Sequence, residues 1–134
     1  MNSYRDTRGT EPDFRVRYRF LSEAEGGRKT LPFQHIRSDF LYEGDDPQAN
    51  GIWCIWPEFV SANGAMLAEN QPVPAEGLAD MFILNVELRA EHAKRIHVGT
   101  KGYFVEGHKK TAACEVIAVL GLANAELSQE TPTK

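Results

Sequence analysis

Phe14, Val16, Tyr18 and Phe20 alternate with Arg15, Arg17 and Arg19. Successive side chains of a strand point to opposite faces, so this period of two builds one apolar face and one cationic face. A helix would mix the two kinds of residue on every side. The segment is therefore a half-buried strand. The same rhythm returns over Gln34–Tyr42, Ile52–Val60, Met81–Leu88, Ile96–Val105 and Thr111–Leu120. Six strands with turn signals between them and almost no helical period predict a closed barrel or a sandwich.

A chain of 134 residues is long enough for one buried core. Its 42% hydrophobic and 25% charged residues match an ordinary globular domain. Fifteen Lys and Arg against nineteen Asp and Glu give a net charge of -4, which excludes coating of nucleic acid by bulk charge. No apolar run reaches membrane-spanning length, and the N-terminus carries no signal-peptide core. Cys54 and Cys114 alone make neither a disulfide framework nor a structural zinc site. These features predict a cytoplasmic protein with reduced thiols, no cofactor and no membrane contact. Residues 1–12 read as a mobile arm, 13–122 as one domain and 123–134 as a flexible tail. Ser61 to Asp80 breaks the rhythm with Asn63-Gly64, Pro72, Pro74 and Gly77; it is expected to cover a sheet edge or carry a contact, with room for a short helix around Ala65 to Glu69.

Between the first two strands runs Glu23-Ala24-Glu25-Gly26-Gly27-Arg28-Lys29-Thr30, whose paired glycines can supply the positive φ of a tight reversal. The order Phe14–Leu21, Glu25–Thr30, then Ile36-Arg37-Ser38-Asp39-Phe40 resembles the C-terminal β-barrel domain of elongation factor Tu. That family has a strand, a Glu-Gly-Gly-Arg-x-Thr turn and a Tyr-Arg-Pro-x-Phe strand in this order. Arg95–Val98 and Val116–Gly121 look like its last two strands, so the resemblance spans Asp13 to Leu122. It implies an all-β, six-stranded antiparallel closed β-barrel that acts as a non-enzymatic module, contacting tRNA or a translation protein. It makes Gly26, Gly27, Arg28 and Arg37 family turn positions with structural roles. No Gly-x-x-x-x-Gly-Lys-Ser/Thr loop is present, so GTP hydrolysis is not expected. Ser38-Asp39 replaces the family's Pro-Gln, placing a carboxylate where the family faces tRNA. Gly102 to Lys110 reads as a longer last hairpin than the family's.

Arg15, Arg17 and Arg19 form a stripe spaced for a phosphate backbone, and Lys101, His108, Lys109 and Lys110 a small basic tip; both are RNA-contact candidates. The competing reading pairs the arginines with carboxylates of a neighbouring strand, with Asp39 or Glu43 as the candidates. Trp53 and Trp56 lie in a segment apolar on both faces. They are candidates for protein contact, unless the 61–80 loop folds over them. Met81 to Leu84 pose the same question. His35, His92, His97 and His108 lack metal-ligand spacing, so no metal site is expected. Cys114 with His97 or His108 is the formal nucleophile and base pair, and packing is the ordinary role of a cysteine in an apolar strand. The partner expected is a protein or an RNA. The alternatives are a small-ligand site or enzyme under the 61–80 loop, using Cys114, a histidine or Glu58, and a decoy that mimics the elongation factor.

Overall fold

The computed structural model describes Tyr4, residues 11–49 and residues 51–123. The expected N-terminal arm lies outside the described residues except for Tyr4, Glu11 and Pro12, and so does the tail beyond Ala123. Six strands form: β1 (Phe14–Phe20), β2 (Asp39–Tyr42), β3 (Ile55–Val60), β4 (Glu76–Ile83), β5 (Lys101–Glu106) and β6 (Lys109–Val119). All pairings are antiparallel, in the order β2-β5-β6-β1-β4-β3.

The alternation in β1 does what its period dictates. Phe14, Val16, Tyr18 and Phe20 are buried, and Arg17 and Arg19 are exposed. Tyr18, Phe20, Phe59 and Phe104 meet at centroid distances of 5.1 to 6.2 Å, mostly edge to face. Phe40 reaches the same core because Gly102 faces it from β5: a Cβ there would lie 2.5 Å from Phe40 Cζ. Gly102 is thus a strand residue, not the start of a long hairpin. The β5–β6 hairpin turns tightly at Gly107-His108, with Glu106 opposite Lys109.

The sheet curls into an open half-barrel, not the closed barrel expected. Its edge strands β2 and β3 share no ladder: among the described residues the backbone crosses the seam at the Phe40–Trp53 bridge just before β3, whose two hydrogen bonds measure 2.9 and 3.0 Å. Beyond it β3 is already occupied. The Gln34 carboxamide donates from Nε2 to the Phe59 carbonyl (2.8 Å) and accepts the Phe59 N–H at Oε1 (2.7 Å), as a neighbouring peptide would. Pro57, two residues back along the edge, has no N–H to offer. A four-residue β2 and a capped β3 edge leave the seam unzipped.

Other expected bounds shift. The second strand begins at Asp39 rather than Gln34, and the fourth runs from Glu76 to Ile83 rather than from Met81 to Leu88. The intervening segment therefore ends before Glu76, and residues 65–69 are not helical; Met66 instead bridges Val60. Arg89–Ala93 forms a short helix, α1, that strand periodicity did not reveal. Asp13 fixes it: Oδ1 accepts from Arg89 Nε (2.7 Å), Oδ2 accepts the Ile83 N–H (2.8 Å), and Arg89 Nη2 donates to the Gly121 carbonyl (2.9 Å).

Candidate functional site on the outer face of β3 and β4

β1 lies between β4 and β6, so Arg15 and Arg17 stand opposite Asp80 and Glu115 of those strands, while Asp39 of β2 hydrogen-bonds Trp56 instead. Arg15 stands opposite Asp80 and grips it in a fork, Nε to Oδ1 at 2.6 Å and Nη2 to Oδ2 at 3.3 Å, with the Asp80 side chain 3% exposed. Arg19 makes a second fork to Glu25 (3.1 and 3.2 Å), which holds the exposed Glu25 carboxyl down to about 2. Arg17 and Lys101 flank Glu115 in register across β1, β6 and β5. The stripe is a ladder of alternating charge.

The turn after β1 opens with a capping box. The Ser22 hydroxyl accepts the Glu25 N–H while Glu25 Oε1 accepts the Ser22 N–H. The two glycines do different work. Gly26 takes φ +92°, whereas Gly27 has no such φ but a Cβ there would sit 2.2 Å from the Leu21 carbonyl oxygen. Arg28 is tied down, with Nη1 donating to Glu106 (2.7 and 2.8 Å) and Nε to the Thr30 carbonyl (2.9 Å). At the hairpin tip Lys110 lies over the Tyr103 ring at 4.3 Å, and His108 and Lys109 are exposed.

Trp53 and Trp56, three residues apart, take opposite faces. Trp53 packs on the core and meets His92 edge-on at 4.8 Å. Trp56 lies outside, opposite Phe82 in register, and donates from Nε1 to Asp39 Oδ1 (3.0 Å) with the Arg37 guanidinium 5.5 Å from its ring centroid. Phe82 is 1% exposed yet stands outside the core cluster. Tyr4 contributes to its cover: its ring centroid lies 5.4 Å from Phe82, 6.4 Å from Trp56 and 4.7 Å from His35.

Beside these rings lies a buried polar cluster. His35 Nε2 is 2.8 Å from Glu58 Oε2, which also accepts the Tyr4 N–H at 2.8 Å. On the other side His35 Nδ1 lies 3.6 Å from Glu69 Oε2 and makes no hydrogen bond among the described residues. The His35 and Glu58 side chains are each 5% exposed. His35 takes φ +67°, the only positive φ among the described non-glycine residues. A conformation that costs about 1–3 kcal/mol persists where the surroundings demand it, and such residues cluster at functional sites. Alternation puts Trp56 and Glu58 on one face of β3, and the β3–β4 register adds Phe82 opposite Trp56. The contributions of His35, Glu69 and Tyr4 come from irregular or distant segments that carry no local signal.

The remaining histidines and cysteines are scattered. Cys114 faces the core, where burial pushes its thiol far up, while His97 and His108 lie in exposed turns. The hollow of about 240 Å³ under the long loop is lined by Leu67, Ala68, Gln71, Pro72, Val73 and Pro74, none of them an acid, base or nucleophile. Among the described residues no three His, Cys, Asp or Glu side chains converge as a metal site needs, and no helix is long and apolar enough to cross a membrane.

His92 has a distinct consequence. Tyr42 Oη and His92 Nδ1 share a hydrogen bond of 2.7 Å, and Arg95, forked to Asp45, lies 3.7 Å over the Tyr42 ring. Burial first, then Arg95, pulls His92 from 6.5 to about 4, against a small opposing pull from Glu91. Above pH 6.5 both folded and unfolded forms hold it neutral; between 6.5 and 4 only the unfolded chain takes the proton, so stability falls as pH falls. The loss is on the order of 2 kcal/mol, after discounting for partial solvation. Urea unfolding at pH 7 and 4.5 should show this drop, and His92→Gln should remove most of the difference.

Comparison with protein-family models and with curated proteins finds no match for this chain.

Proposed function

We propose that the chain is a non-enzymatic binding module resembling the third domain of elongation factor Tu, which docks on a protein of the translation apparatus. The order of the Gly26-Gly27-Arg28 turn and its flanking strands supports the family, and the antiparallel six-stranded sheet is compatible with it. The observation that carries the choice of protein over RNA is the internal pairing of the stripe. Arg15 and Arg19 are each forked to a carboxylate, so a phosphate would have to displace Asp80 or Glu25. Desolvating a bidentate pair to exchange one anion for another gains little.

The second reading, RNA contact, rests on the hairpin tip, where His108 and Lys109 are exposed; Lys101, expected to join them, instead begins β5 at its far end, opposite Glu115. Salt separates the two, because counterion release makes phosphate binding fall steeply with ionic strength. Capture from native extract on the immobilised chain should return one protein whose retention survives nuclease and changes less than tenfold between 50 and 200 mM salt, against the roughly thousandfold loss of a many-phosphate contact. Retention abolished by nuclease would transfer the function to the hairpin tip. Recovery of neither would remove the module reading.

A further inference from the structure

The outer face of β3 and β4 has the makings of a recognition site that the chain fills with its own residue. Trp56 and Phe82 form a cross-strand aromatic pair, His35 borders it, and one ring, that of Tyr4, lies against all three. Glu58 adds direction. A buried carboxylate on this face accepts the backbone N–H of the residue that carries the ring, so side chain and main chain are read together. Stacking alone would accept any aromatic surface; the added hydrogen bond selects a peptide. Glu58 and Glu69 make the border acidic and favour a cation beside the ring, and arginine follows Tyr4 in the chain.

The geometry points to an exchangeable peptide socket, formed by Trp56, Phe82, His35 and Glu58, that takes an aromatic-then-cationic segment of a partner protein and is occupied in the isolated chain by Tyr4. Tyr4 is only half-buried, and it is fifty or more positions from Trp56, Glu58 and Phe82, so its departure leaves the strand pairing and the core untouched. The intramolecular ring competes with any incoming one, which makes the free socket the binding-competent state. This inference rests on the protein-binding reading and names its site.

The test uses the full chain carrying Tyr4→Ala and, as probe, a synthetic peptide copying residues 1–10, with titration followed by calorimetry and tryptophan fluorescence. The variant should bind the peptide at least tenfold more tightly than the unaltered chain. Replacing tyrosine by alanine in the peptide should abolish binding, and N-methylation of the tyrosine amide should weaken it five- to tenfold. These peptide changes leave the folded chain as it is. Equal binding by variant and unaltered chain, no binding by the variant, or indifference to the peptide's tyrosine would overturn the socket. So would a dimer of the unaltered chain that Tyr4→Ala dissolves, since the occupant would then be a second copy. A socket that fails while extract capture still returns its protein would leave the module docking elsewhere, whereas failed capture with a working socket would strike the module reading alone.

Discussion

Replacing Asp13 by alanine should lower the unfolding free energy by about 3 kcal/mol, measured by urea denaturation at pH 7. Asp13 sits immediately before β1 and is held by its backbone between β4 and the end of β6: its N–H donates to the Met81 carbonyl, and its carbonyl accepts from Leu120. Its side chain, 7% exposed, joins β4 to α1, accepting from the Ile83 N–H and from Arg89. Alanine strands the Ile83 N–H, a buried donor whose desolvation costs about 1–3 kcal/mol when unmet. It also strips Arg89 of its charged acceptor while Arg89 still reaches the Gly121 carbonyl. Arg89→Ala should cost less, about 1–2 kcal/mol, since Asp13 keeps its backbone donor. In the double variant the two losses should fall short of their sum, because both substitutions delete one shared contact. Full additivity would show that the pair is not coupled.

How far this arrangement could be read from the chain depends on the range of each interaction. Alternation over Phe14–Phe20 set the parity of β1 correctly. The doubly apolar stretches around Trp56 and Met81–Leu84 signalled a face that needs cover on both sides of the sheet. Parity is local information. Strand order is not, and so the carboxylate opposite Arg15 proved to be Asp80, sixty-five positions away, rather than Asp39 or Glu43. Neither the cover on Phe82 nor the His35–Glu58 contact has a period: Tyr4 arrives from the far N-terminal side, and His35 is set by a positive φ that no pattern of polarity encodes. Helix α1 escaped notice because five residues contain too little helical repeat, and its anchor, Asp13, lies in another part of the chain. Closure was overestimated for a related reason. Counting strands gives the number of staves but says nothing of whether the last two meet.

That unclosed seam makes Gln34 the second residue of large effect. Gln34→Leu should cost about 2–3 kcal/mol in urea unfolding and should make the chain associate in a concentration-dependent way in sedimentation. The leucine keeps the volume roughly constant at this buried position but leaves the Phe59 N–H without its acceptor, and the Phe59 and Leu67 carbonyls lose the Gln34 donor. The β3 edge then presents an open N–H at Phe59, whose carbonyl still accepts the Leu67 N–H (3.0 Å), beside a seam joined by the Phe40–Trp53 bridge and the Trp56–Asp39 hydrogen bond and by no ladder. Such an edge is a template for another strand. Gln34→Glu distinguishes the two halves of the carboxamide. It retains an acceptor for the Phe59 N–H, yet it turns a carboxylate oxygen on the Phe59 and Leu67 carbonyls, which lie 2.8 and 3.0 Å from Nε2 of the native residue. If the side chain acts as a stand-in peptide, glutamate should be at least as destabilising as leucine at pH 7 and should recover on acidification, when its protonated oxygen donates to a carbonyl. A glutamate variant as stable as the native chain at pH 7 would mean that the acceptor alone holds the edge.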